Sequence, residues 1–112
     1  MTILGEPASK ANSRKLVFFG KKPAFIKSEK ARNYLKNFNE QCEPLSELLE
    51  GNLGVEMTIF YASRRPDLDE SVVLDAMQDK IYKNDRQIKK KIINWGLDKE
   101  NPRSEIRVFK ID

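Results

Sequence analysis

Residues 53 to 61, Leu-Gly-Val-Glu-Met-Thr-Ile-Phe-Tyr, put Val55, Met57, Ile59 and Tyr61 on one side of an extended chain and Glu56, Thr58 and Phe60 on the other. That period of two predicts a half-buried strand, and it obliges the rest of the chain to cover one of its faces. Upstream, Ser28 is a good N-cap for a helix in which Ala31, Tyr34, Leu35, Phe38 and Cys42 recur at helical spacing. Pro44 is expected to stop that helix and begin a further turn, with Leu45, Leu48 and Leu49 facing inward until Gly51 and Asn52. Downstream, a second helix is expected from Glu70 or Ser71 to Lys80, with Val72, Val73, Ala76 and Met77 on its inner face.

Four more strands are expected. Lys15 to Gly20 and Pro23 to Ile26 flank a turn at Gly20, Lys21 and Lys22, and Gln87 to Trp95 and Ser104 to Ile111 flank the loop from Gly96 to Arg103. Arg107 and Val108 alternate imperfectly with Ile106, Phe109 and Ile111, which leaves the buried face of the last strand open. The order strands, helix, strand, helix, strand, strand fits one α+β domain over residues 1–112. Its expected architecture is a mixed sheet of four to five strands with two main helices, preceded by a basic arm and hairpin in residues 1–27.

The chain has 112 residues, 39% hydrophobic and 34% charged, which excludes collagen-like, low-complexity and wholly disordered classes. No apolar run reaches the roughly 20 residues of a membrane span. The start, Met1 to Glu6, lacks the pattern of a signal peptide, so a cytoplasmic location without a membrane partner is expected. With no His and Cys42 as the one cysteine, histidine catalysis, zinc fingers, disulfide frameworks and c-type haem are excluded. Cys42 falls on a buried helix face, where it reads as a small hydrophobe. Carboxylate, amine, guanidinium and hydroxyl groups remain, with a metal held by oxygen as the expected cofactor and no organic one.

The net charge of +4 is unevenly placed. Residues 1–27 hold Lys10, Arg14, Lys15, Lys21, Lys22 and Lys27 against Glu6 alone, so the remainder is close to neutral. Such an arm suits a polyanion, although a solvated basic arm without a partner reads equally well from charge alone.

The most informative stretch is Arg64 to Asp69, Arg-Arg-Pro-Asp-Leu-Asp. In an extended chain Asp67 and Asp69 project to the same side, about 7 Å apart at Cα. Their mutual repulsion is relieved by a hard divalent cation. Asp69 as a cap of the second helix is the alternative structural role. Beyond it come Leu-Asp-Ala-Met (Leu74 to Met77) and Tyr82-Lys83-Asn84-Asp85-Arg86-Gln87-Ile88.

The succession of these three motifs resembles the RusA-type Holliday junction resolvases, whose signature is an Asp-x-Asp-Asn, a helix with an Asp-Ala-Leu step and an Asp-Asp-x-Gln-Val segment. Pro7, Ala8, Ser9 and Asn12 resemble that family's N-terminal region, and Ser28 to Tyr34 its first-helix start. The resemblance implies that Asp67, Asp69 and Asp85 form a catalytic trio holding Mg²⁺, with Mn²⁺ as an alternative, for phosphodiester hydrolysis in branched DNA. Two positions depart from the pattern. Glu70 stands where the family has Asn, as a further candidate ligand or as an ordinary first-turn acid. Val73 stands where the family has a Lys, with Arg65, Lys80, Lys83 and Arg86 as candidate replacements.

A helix of about 11 residues advances roughly 16 Å and a four-residue connector returns at most about 13 Å, so Asp85 is expected to fall short of its own Asp67 and Asp69. An intertwined homodimer, the family's habit, would let a neighbouring subunit complete the site and match the two-fold symmetry of a four-way junction. Expected phosphate contacts come from Lys21, Lys22, Arg64, Arg65, Lys83, Arg86, Lys89 and Lys91. In a strand, Lys90 points away from Lys89 and Lys91, and a solvated edge is an equal reading of that run. Phe18, Phe19 and Tyr61 read first as core residues and second as wedges between bases.

The function so implied is a Mg²⁺-dependent endonuclease that resolves Holliday junctions by paired nicks in recombination and repair, in a bacterial or phage-encoded, nucleoid-associated setting. A degenerate member that binds branched DNA without cutting it is the alternative. A basic RNA-binding domain is a third.

Overall fold

A computed structural model describes residues 1–8 and 14–111. Ser9, Lys10 and Asn12, which carry part of the resemblance and of the N-terminal charge, lie outside the described residues. The described elements are β1 (Thr2–Leu4), β2 (Arg14–Phe19), β3 (Lys22–Lys27), α1 (Glu29–Gln41), β4 (Leu53–Tyr61), α2 (Ser71–Ala76), β5 (Ile88–Leu97) and β6 (Arg103–Lys110). Four strands form a mixed sheet in the order β1-β6-β4-β5, while β2 and β3 form a separate two-stranded ribbon. The pairing of β4 with β5 is parallel, and β6 runs antiparallel to both β4 and β1. The architecture is therefore α+β, a mixed sheet with two helices, as the patterning implies.

Strand β4 occupies the predicted span, and Val55, Met57, Ile59 and Tyr61 are all buried on its inner side. Helix α1 covers that side with Ala31, Tyr34 and Phe38, each full burial contributing roughly 1.5–3 kcal/mol for a large apolar side chain. Ser28 caps α1 as expected, its Oγ accepting the Ala31 amide at 3.1 Å. On β6 the inward set is Ser104 and Ile106, with Val108 half-buried, which resolves the open face of that strand. The opposite face of the sheet is open, and on it Phe60 and Phe109 lie under Arg103 and Arg107, with the guanidinium carbons 4.1 and 4.6 Å from the ring centres.

Several expectations are corrected. The first eight residues are not a solvated arm: β1 pairs with β6, and Ile3, Pro7 and Ala8 are buried. Both backbone polar groups of Leu4 are held by α1, the amide donating to Gln41 Oε1 and the carbonyl accepting from Asn37 Nδ2 and Gln41 Nε2. Three residues are too few to show periodicity, so the strand left no signal in the sequence. After Gln41 no helical turn follows Pro44. Leu45 and Leu49 donate to the carbonyls of Lys80 and Ile81 instead, and Leu45 is 41% exposed.

Helix α2 ends at Ala76, four residues before the expected Lys80. The buried Tyr82 hydroxyl donates to the Leu74 carbonyl at 2.6 Å, and Asp79 adopts φ 65, a left-handed conformation that reverses the chain. A six-residue helix advances only about 9 Å, shorter than expected, yet Asp67, Asp69 and Asp85 still do not come close enough together to hold one ion. Asp85 begins a 3-10 turn, Asp85–Gln87, immediately before β5.

The ribbon turns at Gly20 and Lys21 alone, Gly20 having the positive φ of 67 that a two-residue hairpin turn requires, so Lys22 belongs to β3. Contrary to the core expectation, Phe18 and Phe19 are 65% and 68% exposed, whereas Tyr61 is a core residue at 1%. No described helix is long and apolar enough to cross a membrane.

Candidate active site

From Pro66 to Glu70 the chain runs back along β5. The Trp95 Nε1 donates to the Pro66 carbonyl at 3.2 Å, and four residues on, Lys91 Nζ lies 3.0 Å from Glu70 Oε1. Tyr61, the last residue of β4, secures the middle of this segment: its hydroxyl donates to the Asp67 carbonyl and accepts the Asp69 amide, both at 3.2 Å. Burial pushes the Tyr61 phenol above its ordinary range, so it remains a donor. The Tyr61 ring stacks on Trp95 with centroids 6.1 Å apart. Leu68 packs against the core while Asp67 is exposed and Asp69 half-buried, the alternation expected of an extended Asp-Leu-Asp.

Asp69 holds the start of α2 without being its N-cap, which is Glu70. The Asp69 Oδ1 accepts the amide and the hydroxyl of Ser71 at 2.9 and 2.6 Å, and Asp69 remains at the surface. Ser71 in turn lines a cleft of about 280 Å³ together with Asp75 and Asp85.

Asp85 is delivered to that cleft by its 3-10 turn. Gln87 folds back so that its Oε1 accepts the amides of Lys83 and Asn84, and Asn84 Oδ1 accepts the Arg86 amide. Gln87 Nε2 reaches the carbonyls of Leu49 and Gly51, tying the turn to the segment before β4. Gln78 joins the two acids, donating from Nε2 to Asp75 Oδ1 at 2.8 Å and accepting the Asp85 amide at 3.3 Å. The Asn-Asp-Arg-Gln sequence thus encodes a local scaffold that presents one exposed carboxylate.

Asp85 therefore lines this cleft, whereas Asp67 and Asp69 do not, Asp69 reaching only Ser71 at its border. Among the described residues, no three Asp, Glu, Cys or His side chains stand together closely enough to hold a metal ion, so Asp67, Asp69 and Asp85 are not gathered into a closed cage. The donors have the right chemistry for Mg²⁺, which is commonly held by one or two carboxylates with waters and substrate phosphate completing the shell. The residues fit an open site of that kind.

The other expected residues are dispersed. Lys21 and Lys22 stand at the ribbon tip, and Arg64 and Arg65 are exposed on the loop after β4. Lys83 is exposed and paired with Asp79, Arg86 is exposed on the 3-10 turn, and Lys89 is exposed on β5. Lys91 and Glu70 pair with each other beside Asp69. Val73 is fully buried and does not line the cleft. The sequence reading overlooked Tyr61 as a positioning group and overlooked Lys27, whose Nζ is 3.1 Å from Asp75 Oδ2. The Asp in Leu-Asp-Ala-Met was the available signal for the latter.

No curated protein matches the chain. The family model described as Endodeoxyribonuclease RusA matches residues 5–109, which includes Asp67, Asp69, Asp85, every element from β2 to β5 and all of β6 but Lys110. The chain belongs to the RusA endodeoxyribonuclease family.

Proposed function

We propose that this protein is a Mg²⁺-dependent endonuclease that resolves Holliday junctions by paired nicks during recombination and repair, acting as a homodimer in the cytoplasm. The observation that carries this reading is the cleft shared by Ser71 and Asp85, one hydrogen bond from Asp69, in a chain of this family. Asp67, Asp69 and Asp85 are the carboxylates proposed to hold the ion. A bound Mg²⁺ supplies charge neutralisation and a more acidic water for attack at phosphorus.

The chain's own residues do the rest. Asp69 and Asp67 are held in register by Tyr61, and Asp85 is held by Asn84, Gln87 and Gln78. Phosphate contacts along the arms fall to Lys21, Lys22, Arg64, Arg65, Lys83, Arg86 and Lys89, with Lys91 available where it exchanges Glu70 for phosphate.

The homodimer is supported by the ribbon. A lone two-stranded hairpin is marginal in water, and this one exposes Leu16, Phe18, Phe19 and Phe25. A second copy covering those side chains would place two clefts about a two-fold axis, the symmetry of the substrate.

A second reading, branched-DNA binding without cleavage, is favoured by the absence of a three-carboxylate cage among the described residues. Incubation with a labelled mobile four-way junction and Mg²⁺ separates the two. Paired symmetric nicks that disappear in Asp69→Asn support the nuclease. Retained junction binding without nicks, under both Mg²⁺ and Mn²⁺, overturns it in favour of the binder.

A further inference from the structure

Lys27 closes β3, and directly across the ladder from it stands Arg14, the first residue of β2. Like charges placed opposite each other on an antiparallel ribbon are destabilising. Here both face the cleft that Ser71, Asp75 and Asp85 line. Helix α2 brings Ser71, Val72 and Asp75 to this cleft but no cation. Lys83 and Lys91, paired with Asp79 and Glu70, do not line it. Among the described residues the ribbon base is therefore the source of positive charge for the cleft, and it offers two cations where the ladder alone would disfavour them.

We propose that Lys27 is a catalytic residue that binds the scissile phosphodiester, exchanging Asp75 for a non-bridging phosphate oxygen, while Arg14 contacts the adjoining phosphate. This rests on the nuclease reading. The Lys27–Asp75 pair is half-exposed, with side chains 54% and 38% accessible, and pairs of that kind are worth about 0–1 kcal/mol. A phosphate, with full charge and strong acceptor oxygens, competes readily for the ammonium. Asp75 holds Lys27 extended into the cleft before substrate arrives, and Gln78 holds Asp75.

In hydrolysis, water forms the new P–O bond and loses a proton to solvent, one ester P–O bond breaks, and the departing oxygen takes up a proton. Lys27 remains an ammonium throughout and makes no covalent bond. Its part is to offset the charge that builds on the phosphate oxygens as the new bond forms.

The test compares wild type, Lys27→Gln, Lys27→Arg and Asp75→Asn. The first measurement is junction affinity against salt in EDTA, where no metal or turnover contributes. Lys27→Gln is expected to lower the slope of log affinity against log salt by about one, the loss of one phosphate contact, with Lys27→Arg restoring it. Asp75→Asn keeps the acceptor for Gln78 and removes only the ion pair, so it is expected to retain the wild-type slope. Cleavage with Mg²⁺ is expected to fall roughly 100-fold in Lys27→Gln, the scale of losing one preorganised charge-stabilising group. A wild-type slope in Lys27→Gln, or an equal loss in Asp75→Asn, overturns the proposal, the latter by showing that Lys27 serves only the ion pair. Wild-type protein that binds junctions without cutting them overturns the nuclease reading alone, and the slopes still decide whether Lys27 meets a phosphate.

Discussion

The Tyr61 phenol oxygen lies 3.2 Å from the Asp69 amide nitrogen and 3.2 Å from the Asp67 carbonyl, so one buried side chain fixes the backbone on both sides of Leu68. Tyr61→Phe keeps the stack on Trp95 but strands a donor and an acceptor, a loss of about 1–2 kcal/mol in denaturant unfolding. The larger expected effect is on the carboxylates. The Mg²⁺ concentration for half-maximal cleavage should rise severalfold, while metal-free junction affinity stays at the wild-type value. Equal losses in both would show that Tyr61 supports the fold without positioning the aspartates.

Gly96 on β5 lies against the Phe60 ring of β4. A Cβ at this position would stand 2.6 Å from Phe60 Cδ1 and 3.2 Å from its Cγ, so the ring must shift to admit it. Phe60 is itself covered by the Arg103 guanidinium at 4.1 Å. Gly96→Ala is expected to cost about 1–3 kcal/mol, the usual range for overpacking, seen as a lower denaturant midpoint at unchanged m-value. An unchanged midpoint would mean that the ring and guanidinium move away together without loss.

Where local chemistry is strong the sequence is legible. The strict alternation of 53–61, the Ser28 cap and the Gly20 turn locate β4, α1 and the β2–β3 ribbon within a residue or two. What escaped depends on contacts distant in sequence. β1 exists because β6 pairs with it and α1 clamps Leu4, and α2 ends early because Tyr82 takes the Leu74 carbonyl. The same limit governs the site. Asp67, Asp69 and Asp85 stood out by motif, but the proximity of Lys27 to Asp75, 48 residues apart, is a product of tertiary folding. Phe18 and Phe19 were misplaced because hydrophobicity cannot tell a core from a surface awaiting a partner.

That surface gives a prediction about assembly. Phe18 and Phe25 lie on one face of the ribbon, because Phe25 pairs with Leu16, the residue two before Phe18. They are 65% and 69% exposed, so Phe18→Ser with Phe25→Ser removes apolar surface without opening a cavity in the monomer core. Sedimentation equilibrium should show dimer for the wild type and monomer for the double variant, with wild-type far-UV circular dichroism in both. Dimer persisting in the variant would move the interface away from the ribbon.

The alkaline limit of stability should be set by buried phenols. Burial pushes Tyr34 from the ordinary value of 10.0 to about 12, against a smaller opposing influence of Ser104, and it pushes Tyr61 and Tyr82 in the same direction. The unfolded chain therefore loses tyrosine protons from about pH 10 while the folded chain keeps them, so between pH 10 and 12 the unfolded state binds fewer protons and stability falls as pH rises. Tyr34 Oη and Ser104 Oγ are both buried and lie near each other without a hydrogen bond of good geometry among the described residues. Tyr34→Phe then removes a hydroxyl that gains little, and it should unfold near the wild-type midpoint at neutral pH. Above pH 10 its stability should decline less steeply than that of the wild type, followed by denaturant melts with tyrosinate absorbance as a second reading. Parallel alkaline limbs for the two proteins would show that the Tyr34 phenol ionises in the folded state as readily as in the unfolded one.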